Sequence, residues 1–388
     1  KIYDKSFKVK KRESHPHSSL ESHSNKGNFK HFMIKEINYQ PKSIEETLLN
    51  FAKKNDEKIY FPQFKFETKK VNNLSLIACG TAFHACMISK YWFEEISKIN
   101  TSVEIGSEYR YRNVVVNDKT LGIFVSQSGE TMDTLKCLQK MNDQKINTVS
   151  IVNVLGSSIS RGSDYVLPTL AGPEIGVAST KAFIGQMLVL YILAIKISEV
   201  RKEISKSSYE KKINDLKQLP DLIKRTLNYC EDNIPIIAKD FLLAKGSMFL
   251  GRGLSFPIAL EGALKLKELS YLHAEGYPAG EMKHGPLALI EEGLPVVILA
   301  PKDKYFEKTI SNMQEVIARG GKVILVTNES NKIISENVRV TLEVPMTNED
   351  LTPFLITIPL QLLAYHVASL KNCDIDKPRN LAKSVTVE

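Results

Sequence analysis

The 388-residue sequence lacks the features that mark metal, redox and membrane proteins. Its five cysteines form no Cys-x-x-Cys pair and lie mostly in apolar runs. This argues against a disulfide framework or a zinc site and predicts reduced, buried thiols in a cytoplasmic protein. The longest apolar run, residues 187–195, is far shorter than the roughly 20 residues that cross a bilayer. We therefore expect neither a bound metal nor a membrane span.

The sequence also lacks the signatures of nucleotide binding. It contains no Gly-x-x-x-x-Gly-Lys-Ser/Thr loop, and Gly251-Arg-Gly253 is followed by Phe256 where a dinucleotide fingerprint needs its third glycine. The net charge of +8 comes from residues 1–40 and 201–225, which both have the composition of connectors. A solvated basic connector explains this charge better than a nucleic-acid surface does, so no nucleic-acid partner is expected.

The clearest motif that is present lies at residues 121–135. An apolar run from Leu121 to Val125 predicts a buried strand, and the apolar spacing after Thr131 predicts a helix. Between them, Ser126-Gln-Ser-Gly-Glu-Thr131 supplies hydroxyls, an amide and free backbone N–H groups. Because a helix N-terminus favours anions, this turn predicts a phosphate cradle. The alternative, an ordinary helix cap, needs a single hydroxyl.

Strands alternate with helices along the chain, which predicts βαβ units and parallel sheets. The pattern around Gly80 and the cradle returns around Gly253 and Ala300, so we predict an internal duplication into two similar α/β units. In the second unit Ala300-Pro-Lys-Asp-Lys replaces the cradle, and only the first unit is expected to bind phosphate. Ligands of such sheets bind beyond the carboxyl ends of the strands, where Gly80 and the cradle both lie.

These patterns divide the chain into four predicted parts. Residues 1–30 are expected to be the remnant of an upstream domain, a strand hairpin followed by a flexible linker. Three linker histidines lack a Cys or carboxylate frame, so solvated side chains are expected rather than a metal site: His15, His17 and His23. Residues 31–215 and 216–370 are the two α/β units. Residues 371–388 form a tail that either folds over a ligand or docks as a strand.

The second unit holds the candidate catalytic groups. On the helix predicted for residues 258–272, Glu261, Lys265 and Glu268 lie four and three positions apart on one stripe. A solvent-facing ladder of salt bridges is the alternative for this stripe. A polar Gly-rich loop follows and contains His284, whose ordinary pKa of about 6.5 suits a general acid or base.

Taken together, these motifs resemble the isomerase half of the glutamine–fructose-6-phosphate aminotransferase (glucosamine-6-phosphate synthase) family, which consists of two SIS (sugar isomerase) domains. They follow in order from about His31 to Glu388: Cys79-Gly-Thr, Ser126-Gln-Ser-Gly-Glu-Thr131, Glu174-Ile-Gly-Val-Ala-Ser-Thr-Lys181, Ala259-Leu-Glu-Gly-Ala-Leu-Lys-Leu-Lys-Glu268, Lys283-His-Gly-Pro-Leu-Ala288 and Pro378-Arg-Asn-Leu-Ala-Lys-Ser-Val-Thr-Val-Glu388. The resemblance implies an α/β fold of two tandem SIS domains, each a doubly wound, flavodoxin-like parallel sheet flanked by helices.

The resemblance also implies a reaction, the conversion of fructose 6-phosphate and ammonia into glucosamine 6-phosphate. It implies these substrate-binding residues: Thr81, Ser126, Gln127, Ser128, Thr131, Val177 and Ala382. His284 of the neighbouring subunit would open the sugar ring, and Glu268 would move a proton between C1 and C2. Lys383 would form a Schiff base with the open-chain ketose, on a tail that closes the site. Lys265 would take part as well, and no metal or redox cofactor is implied.

Two departures from the family pattern concern the substrate and the ammonia source. Ala82 stands where many members have Ser, so one sugar hydroxyl is expected to lose a partner. The glutaminase domain that would release ammonia is absent, and residues 1–11 resemble only its last strands. The expected assembly is a homodimer that shares His284. The alternatives are a sugar-phosphate-sensing SIS module and another double-SIS phosphosugar isomerase or deglycase.

Overall fold

The computed structural model describes residues 2–3, 7–10, 25–53, 56–61, 68–329 and 337–387. Most of the predicted linker, with His15, His17 and His23, lies outside the described residues. The predicted N-terminal hairpin is confirmed, because strand β1 (Ile2–Tyr3) pairs antiparallel with strand β2 (Val9–Lys10).

The first half of the chain forms a five-stranded sheet in which all strands are parallel. Its strands are β3 (Asn73–Ala78), β4 (Asn100–Ile105), β5 (Thr120–Ser126), β6 (Asn147–Val152) and β7 (Tyr165–Pro168). They lie in the order β4-β3-β5-β6-β7, with Leu76 of β3 between Val103 and Ile123. Every residue of the central strand β5 is buried, as expected for a parallel strand covered on both faces.

Helices cover both faces of this sheet and connect it to the second half. They are α1 (Phe32–Asn38), α2 (Gln40–Phe51), α3 (Thr81–Glu95), α4 (Gly106–Tyr109), α5 (Met132–Asp143), α6 (Ser158–Gly162), α7 (Lys181–Arg201) and α8 (Lys206–Ile237). Tyr39 separates α1 from α2, and Pro41 lies in the first turn of α2, where a missing N–H costs nothing. The boundary predicted between residues 215 and 216 lies inside the continuous helix α8 and stays a prediction.

The second half forms a similar parallel sheet in the order β9-β8-β10-β11-β12. Its strands are β8 (Gly246–Gly251), β9 (His273–Pro278), β10 (Pro295–Leu299), β11 (Lys322–Thr327) and β12 (Val340–Glu343). Its helices are α9 (Ser255–Ser270), α10 (Phe306–Ile317) and α11 (Thr352–Leu370). Residues 279–284 and 286–289, which contain the loop of His284, form short 3₁₀ turns.

The two sheets share one topology, because each has the strand order 2-1-3-4-5 when its own strands are numbered along the chain. This is the flavodoxin-like doubly wound order that the resemblance implied. The turn after the first strand is built in the same way in both halves, since Gly80 has φ +56° and Gly253 has φ +53°. A left-handed backbone at both positions requires glycine. The predicted duplication and fold class are therefore confirmed.

Among the described residues, the helices α7 and α11 are long and apolar enough by composition to cross a membrane. In each, 83% of the most apolar window is buried inside the protein, so both serve as core helices. One core cluster runs through both halves, and Trp92 of α3 stands between Tyr191 of α7 and Phe354 of α11. All five cysteines are free thiols, but the prediction that they are buried holds only for Cys86, Cys137 and Cys230, because Cys79 and Cys373 are half-buried.

The close packing of β9 on α9 generates a stability prediction. An added Cβ at Gly276 would lie 2.8 Å from the backbone of Leu260, which cannot move aside. Gly276→Ala is therefore expected to lower the free energy of unfolding by about 1–3 kcal/mol. Gly246→Ala, on the neighbouring strand, has its closest contact at 3.3 Å and should change stability by less than about 1 kcal/mol. Urea unfolding measures both variants, and equal losses would contradict the close approach.

Candidate functional site

A cavity opens at the carboxyl edge of the first sheet, beside the contact between α3 and α9. It contains about 890 Å³ of empty space, part of which is open to solvent. All of the predicted substrate-binding residues line it: Thr81, Ser126, Gln127, Ser128, Thr131, Val177 and Ala382. Three of the predicted catalytic residues line it as well, namely Lys265, Glu268 and Lys383. His284 is not among the lining residues, and its side chain is exposed at the end of the 279–284 turn.

The cradle is a tight loop that folds its hydroxyls toward one another at the N-terminus of α5. Ser126 Oγ accepts the backbone N–H of Gly129 at 3.0 Å and lies 2.9 Å from Thr131 Oγ1. Ser128 Oγ accepts the N–H of Glu130 at 3.2 Å. The Glu130 carboxylate points away from the loop and accepts the Ser158 N–H of α6 at 2.8 Å. The cavity side of the loop therefore presents hydroxyls and backbone without an acidic group.

The C-terminal tail lies over this cavity as irregular backbone, and the alternative of a docked strand is wrong. The carbonyl of Val385 accepts the first N–H of α5, from Met132, at 3.1 Å. Ser384 Oγ lies 2.9 Å from Ser128 Oγ, so tail and cradle are in direct contact. At the other end of the tail, the carbonyl of Asp376 accepts the Val177 N–H at 3.1 Å.

Lys383 is held at the cavity by a carboxylate that the sequence analysis missed. Its Nζ donates to Glu174 Oε2 at 2.6 Å and to the carbonyl of Gly176 at 2.8 Å. Glu174 is buried, and its other oxygen accepts the N–H groups of Thr180 and Ala182. Burial alone would raise the pKa of Glu174, but Lys383 and these two donors outweigh it and hold the pKa below its ordinary value.

A second buried carboxylate supports the same loop from below. Glu36 of α1 accepts the N–H groups of Ile175 and Gly176, at 2.5 and 3.3 Å. Burial, together with the nearby charge of Glu174, raises the pKa of Glu36 to about 7. The loop that carries Val177 is thus fixed between α1 on one side and Lys383 of the tail on the other.

The predicted stripe on α9 is not a solvent-facing ladder, because Glu261 and Lys265 are each only 1% exposed. Lys265 Nζ lies 2.5 Å from Glu268 Oε2 and 3.5 Å from Glu261 Oε1. Burial alone would lower the pKa of Lys265, but the two carboxylates outweigh it and raise the pKa above the ordinary lysine value. Lys265 is therefore a fixed ammonium donor beside Glu268.

The contact between α3 and α9 carries a further polar group that sequence reasoning missed. His84 Nδ1 lies 2.7 Å from Glu261 Oε2, and Thr81 Oγ1 donates to Glu261 Oε1 at 3.1 Å. His84 follows the Cys79-Gly-Thr turn by one helical turn, which was the only local signal that it could face the site. Thr81, which the resemblance implied as a sugar-binding residue, therefore donates its hydroxyl hydrogen bond to Glu261 of the second half.

The SIS domain family matches residues 68–196 and 243–371 of this chain, one match on each sheet. The chain is 47% identical over its whole length to glutamine–fructose-6-phosphate aminotransferase [isomerizing] of Bradyrhizobium diazoefficiens, and 48% identical over 94% of its length to that of Aquifex aeolicus. The aligned regions span only 64% and 59% of the lengths of these two relatives.

A solved structure agrees with these matches. The C-terminal domain of glucosamine-fructose-6-phosphate aminotransferase from Francisella tularensis superimposes with a TM-score of 0.86 at 43% identity. The match covers 92% of this chain and 100% of that one. The chain therefore belongs to the SIS domain family, with two SIS domains in tandem, and is similar to the isomerase half of the glutamine–fructose-6-phosphate aminotransferases.

Proposed function

We propose that this chain is the isomerase and amino-transfer part of an enzyme that converts fructose 6-phosphate and ammonia into glucosamine 6-phosphate. The observation that carries this proposal is that the cradle, the Glu268 carboxylate and the Lys383 amine line one cavity. Phosphate binding, proton transfer beside a carbonyl and Schiff-base formation require these three kinds of group. The name that the curated relatives share supports the same reaction.

Substrate binding begins at the cradle. The hydroxyls of Ser126, Ser128 and Thr131 and the amide of Gln127 hold the sugar phosphate, helped by the helix dipole at the start of α5. Ser126 bonds to Thr131 and Ser128 bonds to Ser384, and a phosphate would replace those bonds with stronger charge-assisted ones. Thr81, Val177 and Ala382 line the part of the cavity that receives the sugar.

Ring opening requires a group that both gives and takes a proton near neutral pH, and we assign it to His284. Within one chain this imidazole is exposed and does not line the cavity. A homodimer in which His284 of each subunit completes the neighbouring site explains that position.

Lys383 attacks the C2 carbonyl of the open-chain ketose once its ammonium has lost a proton. A C–N bond forms and water leaves, which gives a Schiff base. Ammonia then adds to the imine carbon and displaces the Lys383 amine, which leaves an imine of ammonia at C2. Glu268 takes a proton from C1 and returns it to C2, so that C2 carries an amino group and C1 becomes the aldehyde of glucosamine 6-phosphate. Without ammonia, water releases Lys383 from the Schiff base, and the same proton transfer on the free ketose gives glucose 6-phosphate. Lys265 stays an ammonium throughout, because Glu261 and Glu268 hold its charge, and it steadies Glu268 for the transfer.

The ammonia is proposed to come from a glutaminase domain. The relatives are long enough to carry such a domain, since about 60% of their length matches this chain. We propose a cytoplasmic enzyme without a cofactor, a nucleic-acid partner or a membrane partner. The free thiols fit a reducing compartment.

The cradle predicts a loss of substrate affinity in Ser128→Ala. This variant removes one hydroxyl from the phosphate site, and the dissociation constant for fructose 6-phosphate should rise about tenfold or more, as for the loss of a hydrogen bond to a charged group. Ser207→Ala, an exposed hydroxyl on α8, is the matched control. Isothermal titration calorimetry measures both, and an unchanged affinity in Ser128→Ala would count against the cradle.

The proton-transfer step predicts isotope exchange. In deuterated water the chain should place deuterium at C2 of glucose 6-phosphate formed from fructose 6-phosphate, and should form glucosamine 6-phosphate once ammonium is added. NMR follows both products. Glu268→Gln should abolish the exchange while binding persists, whereas Glu275→Gln, a carboxylate on β9, should retain it. Saturable binding without any exchange in the unaltered chain would favour a sugar-phosphate sensor.

The shared site predicts complementation between inactive subunits. His284→Ala and Lys383→Ala chains should each be inactive alone. Mixed dimers should recover up to about half of the activity per dimer, because one of their two sites has both residues intact. Tagged subunits purified as heterodimers provide the sample. Confirmed heterodimers without activity would indicate that each site is built within one chain.

A further inference from the structure

A row of four polar groups runs from the first domain to the catalytic helix, and the proposed mechanism gives no role of their own to the first two, His84 and Glu261. His84 of α3 lies 2.7 Å from Glu261, Glu261 lies 3.5 Å from Lys265, and Lys265 lies 2.5 Å from Glu268. The members on α9 are four and three positions apart, so the helix itself sets their spacing. Only Glu268, at the end of the row, faces the cavity with a partly exposed side chain.

The ammonium of Lys265 is shared between two carboxylates. Its side chain is 1% exposed, so solvent does not screen either pair. An interaction that draws the Lys265 ammonium toward Glu261 weakens the ion pair between Lys265 and Glu268. A carboxylate that is fully paired with an ammonium is a poor proton acceptor, whereas one that shares the ammonium accepts a proton more readily.

We propose that Glu261 is a positioning residue that competes with Glu268 for the ammonium of Lys265 and thereby sets the strength of Glu268 as a base. His84, from the first domain, donates to Glu261 and so controls how strongly Glu261 competes. This inference rests on the proposed function, because it gives Glu268 the role of proton carrier. It extends that function to His84, a residue that does not line the cavity.

The geometry at Glu261 supports this division. A carboxylate only accepts hydrogen bonds, so His84 must carry its proton on Nδ1 and donate to Oε2. Thr81 donates to Oε1, the same oxygen that faces Lys265. These two donors from α3 compensate part of the negative charge of Glu261. They therefore limit how far it draws Lys265 away from Glu268.

Two other charged groups lie near the row, one in the loop before α7 and one in the tail. Glu174, in the loop before α7, adds to the negative field at Lys265. Lys383, on the tail, lines the same cavity as Glu268 but is bound to Glu174. These groups are unchanged in the variants below, so differences between variants report on His84 and Glu261.

Glu261→Gln removes the competing carboxylate, and Lys265 then pairs with Glu268 alone. The Glu268 carboxylate then holds the whole ion pair and is a weaker base toward C1. We expect kcat for fructose 6-phosphate isomerisation to fall about tenfold or more. The acid limb of the pH profile of kcat, where activity is lost as the pH falls, should move about one pH unit lower. KM should change less than about threefold. The phosphate of the substrate titrates equally in all variants and cancels from the comparison.

Asp350→Asn is the matched control, because Asp350 also accepts from a lysine, Lys212 at 2.6 Å, and from a hydroxyl, Tyr191 at 3.0 Å, at a contact away from the cavity. It should lose stability without moving the acid limb. His84→Ala removes a donor from Glu261, which then draws Lys265 more strongly and frees Glu268. The acid limb should therefore move the opposite way, to higher pH, and His84→Asn, which keeps a donor, should restore it.

Displacement of the acid limb to lower pH in Glu261→Gln and to higher pH in His84→Ala would support the inference. A merely structural role of these residues would not move the acid limb in either variant. Folded variants whose acid limbs match that of Asp350→Asn would overturn it, and so would displacements in the same direction. If Glu261→Gln does not fold, the pair of His84 variants decides the question alone. Absence of isomerisation in the unaltered chain would instead overturn the proposed function and this inference with it.

Discussion

The packing of α3 against α9 is the contact on which the rest of the site depends. The helix α3 begins at the Gly80 turn, on the sheet that carries the cradle, whereas α9 carries Lys265 and Glu268 from the other sheet. Both domains therefore contribute residues to the lining of the cavity. The buried carboxylate of Glu261 joins the two helices, and a buried charge that loses its partners is strongly destabilising. The same group thus stabilises the interface and fixes Lys265.

Much of the fold could be predicted because its signals are local. The strand, turn and helix of residues 121–135 follow from apolar spacing and from turn chemistry between neighbouring residues. The duplication could be predicted because Gly253 repeats Gly80 in a similar setting, and both have nearly the same φ. Strand order is different in kind. It depends on which distant segments pair, and only the resemblance to SIS domains implied it before the sheets were seen.

The supports of the site could not be predicted, because they act across long sequence separations. Glu36 and Glu174 belong to a helix and a loop about 140 positions apart, and nothing local shows that both are buried under Lys383. The Asp376 carboxylate of the tail accepts the first two N–H groups of α1, from Phe32 and Met33. A side chain from the opposite end of the chain thus caps the N-terminus of α1. The sequence left open whether the tail docks as a strand, whereas in the structure its polar groups bond to loops and helix ends.

The two copies of the duplicated fold differ at the sheet edge that carries the cavity in the first. A Cβ added at Gly80 would meet nothing within 4 Å, so the edge of the first sheet is open. At Gly253 the same Cβ would lie 2.5 Å from the ring of Tyr305, which fills the corresponding space. Beside it, Lys304 pairs with Glu95 at the end of α3. The loop that stands in place of the cradle therefore uses Tyr305 and Lys304 to fill this edge and to contact α3. Under our proposal the edge of the first sheet binds phosphate, whereas the corresponding edge of the second packs against the first domain, which places α9, with Lys265 and Glu268, beside the cavity.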